Sequence, residues 1–326
     1  MGVNSSSIYS EMIDLYQQVL PHGITLSCRS AGEKGRPVLV FLHGFPEAAF
    51  VWDDLLMHFA HPENGGYRCI APNLRGFEQS SASDDVASYR PKHLVQDIAA
   101  LINFEGGQIE CLVAHDWGGA LAWNLAARTP KLMKKLAIIN SPHPGTFLRE
   151  LQHSTTQQAA SAYMNFLIRP DAEKLLAEND FRRLFEFFTP FSLVDGKAGP
   201  RTAPPWLTEA VRAQYRSVWQ HGLTGPLNYY RASPLRPGPD IAQLVIPRNL
   251  LDVHLPTLVL WGMEDIALPP GLIDGLADFV PQMQLERIEG ATHWVIHEQP
   301  ALVASYLKIF LEFGDSNLSK KCLNSL

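Results

Sequence analysis

The residue of this sequence best placed to do chemistry is Asp116, which lies between a predicted buried strand and a predicted helix. The apolar run Glu110–Ala114 leads directly into His115-Asp116-Trp117-Gly118-Gly119. A strand, a sharp turn and a helix in this order predict a nucleophile elbow, which presents one side chain above a sheet. A carboxylate there attacks saturated carbon, whereas acyl transfer normally uses Ser or Cys, so esterase, lipase and peptidase functions are disfavoured. The plainer alternative is that Asp116 only caps the helix.

A glycine-containing turn is expected beside this elbow. The segment His43-Gly44-Phe45-Pro46-Glu47 follows the apolar strand Val38–Leu42. In this position the backbone N–H groups of Phe45 and Trp117 are expected to form an oxyanion hole. The Phe45–Pro46 bond is also a candidate cis peptide.

Two further groups complete a possible catalytic set. Asp265 follows the predicted strand Thr257–Trp261, and His293 follows the predicted strand Gln284–Ile288. The order nucleophile, acid, histidine is the order that α/β-hydrolases use, and a histidine near a carboxylate is suited to act as a base. Taken alone, His293 would more often be a structural histidine, and it is the ordered set that favours a catalytic role. His297 lies four residues later, but no glutamate spacing or third ligand supports a metal site, and we expect none.

Strands and helices alternate through the first 140 residues, as expected of β-α-β units around a mostly parallel sheet. The predicted strands there are Thr25–Ser30, Val38–Leu42, Arg68–Ala71, Glu110–Ala114 and Lys135–Ile139, and the predicted helices are Phe50–Ala60, Pro91–Phe104 and Trp117–Arg128. Strands Thr257–Trp261 and Gln284–Ile288 and a last helix, Pro300–Phe313, are predicted to rejoin this sheet.

The middle of the chain has a different pattern. Helical segments dominate after Pro142 with no convincing strand, and a proline-rich loop follows from Ser233 to Pro247. We therefore predict an α/β core from residues 1–141 and 249–326, with residues 142–248 inserted as a helical cap.

Composition limits the possible partners. The chain has 326 residues, of which 46% are hydrophobic and 18% charged, with a net charge of -6, as in a folded globular protein. Because the basic residues are scattered, nucleic-acid binding is not expected.

The elbow, the turn and the Asp265/His293 pair together resemble the epoxide hydrolases of the α/β-hydrolase superfamily, over about residues 23–313. Two segments of the predicted cap strengthen the resemblance. Tyr163-Met164-Asn165-Phe166, followed by Arg169-Pro170, is similar to the first cap tyrosine motif of that family, and Asn228-Tyr229-Tyr230-Arg231 is similar to its second. The departure from the family pattern is Tyr229, which stands where the family usually has tryptophan and still provides an aromatic wall.

The resemblance implies a mechanism. Tyr163 and Tyr230 would hydrogen-bond to the epoxide oxygen while Asp116 attacks a ring carbon, and His293, oriented by Asp265, would activate water to release a vicinal diol. Phe45, Trp117, Phe166 and Tyr229 are the expected pocket wall, which suits a small hydrophobic epoxide. No cofactor is expected. Taken singly, either tyrosine is more often a core residue.

Two other functions stay open. A haloalkane or fluoroacetate dehalogenase would use the same nucleophile, although Phe45 stands where haloalkane dehalogenases have Asn. A non-catalytic ligand-binding protein of the same fold would be expected to have lost part of the set. The sequence also leaves a homodimer possible.

The remaining expectations concern location. Cys28, Cys69, Cys111 and Cys322 are too few and too widely spaced for a disulfide framework, so we expect free buried thiols. No signal peptide or apolar run long enough for a membrane span is recognised, and the expected location is cytoplasmic. The Met1-Gly2 start fits a loose myristoylation pattern that we interpret as a coincidence.

Overall fold

The fold is built on one eight-stranded sheet. In the computed structural model, residues 13–189, 193–194, 197–198 and 202–314 are described. The strand order in the sheet is β1-β2-β4-β3-β5-β6-β9-β10. These strands are β1 Asp14–Val19, β2 Thr25–Ala31, β3 Val38–Leu42, β4 Arg68–Pro72, β5 Ile109–His115, β6 Met133–Ile139, β9 Thr257–Gly262 and β10 Met283–Ile288. Pairing is antiparallel only at β1–β2 and β2–β4. The predicted mostly parallel α/β fold is confirmed.

The register of the parallel strands brings their carboxyl ends to one edge of the sheet. Leu42 of β3 pairs with Ala114 of β5. Ile139 of β6 pairs with Leu260 of β9, and Gly262 of β9 pairs with Ile288 of β10. Residues that follow these strands therefore meet at that edge, where α/β sheets bind ligands.

Helices cover both faces of the sheet, and the apolar side chains of its central strands are buried beneath them. The helices that flank the sheet are α1 Asp53–Ala60, α2 Pro91–Phe104, α3 Asp116–Arg128, α10 Val295–Glu298 and α11 Pro300–Phe313. Trp52, Phe59 and Phe310 are fully buried on one face, with Trp123 and Trp261 on the other. Apolar burial on both faces is the main stabilising contribution.

Helices also dominate the chain between β6 and β9. They are α4 Pro144–His153, α5 Thr155–Ala160, α6 Tyr163–Leu167, α7 Ala172–Phe187, α8 Glu209–Trp219 and α9 Thr224–Ala232. The prediction of no strand there was wrong, because β7 Leu193–Val194 pairs with β8 Lys197–Ala198. Two residues per strand are too few to show the alternation on which strand prediction rests.

The other predicted elements agree with the structure to within two residues at nearly every end. The exception is Phe50–Ala60, which begins as a 3₁₀ turn, Ala49–Trp52, before α1. Cys28, Cys69 and Cys111 are free and buried. The predictions for Gly2, Cys322 and the frayed end 316–326 fall outside the described residues. In the described part of the chain, no helix is both long and apolar enough to cross a membrane.

Candidate active site

Asp116 lies on a strained turn at the start of α3. Its φ is +48°, in the left-handed region that L-residues rarely adopt. The turn fits because its neighbours are glycines: a Cβ on Gly118 would lie 2.5 Å from the carbonyl oxygen of Leu42. A Cβ on Gly119 would lie 2.3 Å from the Cβ of Ser141, whose hydroxyl donates to the carbonyl of Asp116 at 2.7 Å. The predicted sharp turn between a strand and a helix is therefore present at Asp116.

The turn after β3 supplies a hydrogen bond to this carboxylate. The backbone N–H of Phe45 donates to Oδ1 of Asp116 at 2.8 Å, and the Phe45–Pro46 peptide is cis, as predicted. Only glycine fits at position 44, because a Cβ there would lie 2.3 Å from the Cβ of Asp116. His43 anchors the turn, since its Nδ1 donates to Gly44 and its Nε2 accepts from the N–H of Leu74. Burial lowers the pKa of His43 to about 4, which keeps this ring neutral.

His293 stands beside Asp116 and is held by Asp265. Nδ1 of His293 donates to Oδ2 of Asp265 at 2.6 Å, and its Nε2 lies 3.7 Å from Oδ2 of Asp116. Asp265 also accepts from the backbone N–H groups of Ala267 and Leu268. The second ring nitrogen of His293 therefore faces Asp116, as a base acting at that position would require.

Asn140 is a positioning residue that the sequence analysis missed. Its side-chain amide donates to Oδ2 of Asp265 at 2.8 Å, and its Oδ1 accepts from the N–H of Gly262 at 2.9 Å. The φ of Asn140 is +39°, in the left-handed region that asparagine adopts more readily than most residues. This suits asparagine to the position directly after β6. The sign of this role in the sequence is that an asparagine directly follows β6, at the edge where the parallel strands end.

The charges around His293 favour its protonated form. Burial alone lowers the pKa of this imidazole, but Asp265, Asp116 and Glu47 outweigh burial and raise it to about 9. At neutral pH the ring of His293 is therefore positively charged.

This raised pKa makes stability depend on pH. Protonated His293 stabilises the folded protein. This stabilisation is complete below about pH 6.5, the pKa of histidine in the unfolded chain, and is lost as the pH rises through about 9, its pKa in the folded protein. We expect the free energy of unfolding, measured by urea denaturation, to fall by about 3 kcal/mol across that interval because of this group. His293→Gln should flatten this slope, and equal slopes in both proteins would contradict the assignment.

Glu47 forms a buried polar cluster beneath the turn, which the sequence analysis did not anticipate. Its carboxylate accepts from His297 Nε2 at 2.6 Å, from His115 Nδ1 at 3.1 Å and from the Tyr215 hydroxyl at 3.1 Å. Burial opposes ionisation, but the hydrogen bonds from His115 and His297 outweigh it and hold the pKa of Glu47 well below its usual range. His115 also donates from Nε2 to the carbonyl of His293 at 2.9 Å. These hydrogen bonds therefore link the turn that contains Phe45 and Glu47 to the loop that contains His293.

Tyr163 and Tyr230 lie together above Asp116. Their ring centroids are 6.2 Å apart, and the Tyr230 ring is 5.1 Å from that of Trp117. Burial, and then the charge of Asp116, raises the pKa of Tyr163 far above its usual value, and burial does the same for Tyr230. Both phenols are therefore neutral donors at physiological pH.

Two cavities meet at these side chains. The first has a volume of about 350 Å³ and includes Trp117 and Tyr229 in its wall. The second, of about 460 Å³, includes Phe45, Phe166 and His293. Among the described residues, the two walls share only Asp116, Tyr163 and Tyr230. All the predicted pocket residues therefore line one cavity or the other.

Known proteins share this fold and much of this sequence. The family model of the alpha/beta hydrolase fold matches residues 37–300. The chain is 33% identical to AB hydrolase superfamily protein YfhM of Bacillus subtilis, over 91% of this chain and 97% of that protein. It is 32% identical to Epoxide hydrolase 4 of Mus musculus, over 91% of this chain and 79% of that protein.

Solved structures of epoxide hydrolases have the same fold as this chain. A Bacillus megaterium epoxide hydrolase crystallised with an inhibitor superposes with a TM-score of 0.79 at 28% identity, over 91% of this chain and 100% of that one. A variant of a Bacillus megaterium epoxide hydrolase was solved with its product, (R)-3-[1]naphthyloxy-propane-1,2-diol, and has a TM-score of 0.79 at 27% identity, over 91% of this chain and 100% of that one. The chain therefore belongs to the α/β-hydrolase superfamily and, within it, to the epoxide hydrolase family of hydrolase enzymes.

Proposed function

We propose that this protein converts an epoxide and water to a vicinal diol through an alkyl ester of Asp116. The observation that carries the proposal is that Asp116, Tyr163 and Tyr230 are the described residues common to both cavity walls. An epoxide held at this junction would have a nucleophile on one side and two phenolic donors on the other. Its two substituents would extend into separate cavities.

In the first step, Asp116 attacks one ring carbon and the carbon–oxygen bond to that carbon breaks. The oxygen gains negative charge, which hydrogen bonds from Tyr163 and Tyr230 stabilise until it takes the proton of one of these phenols, and a proton from solvent then restores that phenol. The product is a hydroxyalkyl ester of Asp116. A neutral donor suits this step because it has a proton to give, and both phenols have raised pKa values.

In the second step, water attacks the carbonyl carbon of that ester. His293 takes the proton from water while Asp265 holds the ring in place, and the bond between the carbonyl carbon and the alkyl oxygen then breaks. The alkyl oxygen takes up the proton from His293, the diol leaves, and Asp116 returns to its carboxylate form by releasing a proton to solvent. Esterification removes the negative charge of Asp116, one of the charges that raise the pKa of His293. The first step thus shifts His293 toward the neutral form that the second step requires. The N–H of Phe45, with that of Trp117, would stabilise the tetrahedral oxyanion.

We further propose that residues 142–248 act as a cap domain on a core formed by residues 1–141 and 249–326. This segment carries Tyr163 in α6 and Tyr230 in α9. The wall of the first cavity is mostly apolar, which fits a hydrophobic epoxide. The aryloxy diol bound by the Bacillus megaterium variant makes an aryl glycidyl ether a suitable first substrate.

A single turnover in water enriched in ¹⁸O tests the covalent route. With enzyme in excess, we expect ¹⁸O in the carboxylate of Asp116 and none in the first diol, because the diol takes its new oxygen from Asp116. Mass spectrometry of the peptide containing Asp116 and of the diol measures both. Diol labelled in the first turnover, with unlabelled Asp116, would show direct attack by water instead. Release of halide from a chlorinated substrate without any diol from an epoxide would favour a dehalogenase.

A further inference from the structure

One face of helix α8, in the proposed cap, holds the turn that carries Phe45. Tyr215 and Trp219 are buried and lie four residues apart on this face, with ring centroids 5.3 Å apart. The indole N–H of Trp219 donates to the carbonyl of Pro46 at 2.7 Å. The hydroxyl of Tyr215 donates to Oε1 of Glu47 at 3.1 Å. Two side chains of the cap therefore bind two consecutive residues of the turn.

The turn is closed on itself, so its residues move together. The N–H of Glu47 donates to the carbonyl of Gly44 at 3.1 Å. Between these two residues lies Phe45, whose N–H donates to Oδ1 of Asp116 at 2.8 Å. Hydrogen bonds that fix Pro46 and Glu47 therefore also fix the direction in which the N–H of Phe45 points.

The hydrogen bond from Phe45 to Asp116 has opposite effects on the two steps of the proposed reaction. When Oδ2 attacks the epoxide, Oδ1 loses its share of the carboxylate charge and becomes the carbonyl oxygen of a neutral ester. When water attacks that carbonyl, Oδ1 becomes negatively charged again. A donor that points at Oδ1 therefore favours the transition state of ester hydrolysis but not that of ester formation.

We propose that Tyr215 and Trp219 are positioning residues for hydrolysis of the ester. Through the turn, they keep the N–H of Phe45 directed at the oxygen of Asp116 that becomes the oxyanion. The inference rests on the proposed reaction through the ester. It gives the cap a second role, because α6 and α9 carry the two phenols that would assist ring opening, whereas α8 would assist hydrolysis.

The rates of the two steps test the inference in Tyr215→Phe, Trp219→Phe and the double variant. Complete loss of an oxyanion donor typically costs about 100- to 1000-fold, and displacement should cost less, so we expect hydrolysis of the ester to slow about tenfold in the double variant. Ester formation should stay within about twofold of its native rate. Rapid mixing with an epoxide, an acid quench and intact-mass spectrometry measure the ester as it forms and disappears.

The ratio of these two rates separates positioning from a general loosening of the cap. Tyr163 and Tyr230 also lie on the cap, so a loosened cap would slow ester formation as well. Arg149→Met is the matched control, because Arg149 of α4 donates to the core carbonyls of Gly271 and Asp274. Among the described residues it belongs to neither cavity wall. This variant removes contacts between the same two parts of the chain and should keep the native ratio of rates.

Thermal unfolding shows which variants are folded. Tyr215→Phe keeps the aromatic ring that stacks on Trp219, so this variant alone carries the test if Trp219→Phe does not fold. In Tyr215→Phe we expect hydrolysis of the ester to slow about threefold, again without slower ester formation.

The outcomes separate this inference from the proposed function. Equal slowing of both steps, or hydrolysis at the native rate in the folded variants, would overturn the role of Tyr215 and Trp219. Diol formation by the native protein would then still support epoxide hydrolysis. If the native protein forms no ester, the covalent route fails and this inference fails with it.

Discussion

Replacing both Tyr163 and Tyr230 with phenylalanine is expected to reduce ring opening to near the uncatalysed rate. In the proposed mechanism each phenol gives a hydrogen bond to an oxygen that becomes charged only as the ring opens, so its loss acts on the barrier more than on binding. Removal of one such donor typically costs about 100- to 1000-fold in kcat, and we expect that loss for each single variant. The phenylalanine ring preserves the aromatic contacts with Phe187 and Trp117.

The measurement for this prediction is the rate of ester formation in a single turnover, followed by intact-mass spectrometry. Tyr306→Phe is the matched control, because Tyr306 lies in α11, outside both cavity walls, and loses the same hydroxyl group. An activity loss under tenfold in the double variant would contradict donation by these phenols.

His293→Gln is expected to stop the reaction after the first step. Asp116 can still attack the epoxide, since Tyr163, Tyr230 and the N–H of Phe45 are unchanged. No base is left to activate water, so the ester should accumulate. Glutamine also keeps an amide within reach of Asp265, which limits disruption of the site.

The trapped ester is observed as a mass increase of the protein equal to the mass of the epoxide, located by peptide mapping to Asp116. Steady-state diol formation should fall by at least about 1000-fold while the first turnover of ester formation continues. His254→Gln, at an exposed histidine, serves as the control. An unmodified mass together with loss of all diol formation would show that His293 is needed before the ester forms.

The parts of the fold that sequence predicted are those with strong local patterns. Val38–Leu42, Pro91–Phe104 and Pro300–Phe313 have the predicted bounds. The strand is an unbroken run of buried apolar residues, and the two helices bury apolar residues at helical spacing. The edge strand β1 was not predicted, because it lacks such a pattern. Its side chains are largely exposed, so Asp14–Val19 has no apolar alternation, and its place depends on backbone pairing with β2.

The residues of the candidate site also fall into those that the sequence indicated and those that it did not. Asp116, Asp265 and His293 follow strands whose ends the parallel register brings together, so their order along the chain was enough to group them. Glu47 and Asn140 were not identified, because each acts through contacts from distant parts of the chain: Glu47 meets His297, and Asn140 meets Asp265. Such contacts depend on side-chain packing, which neither spacing nor residue type reveals.

The division of the binding space has a consequence for how selectivity can change. Among the described residues, the two cavity walls share only Asp116, Tyr163 and Tyr230, the groups proposed to react. Tyr229 lines only the first wall and Phe166 only the second. Free energies from substitutions at sites without shared partners usually add. Preferences for the two substituents of a substrate can therefore evolve separately, and adapting to a new group on one side need not disturb recognition on the other.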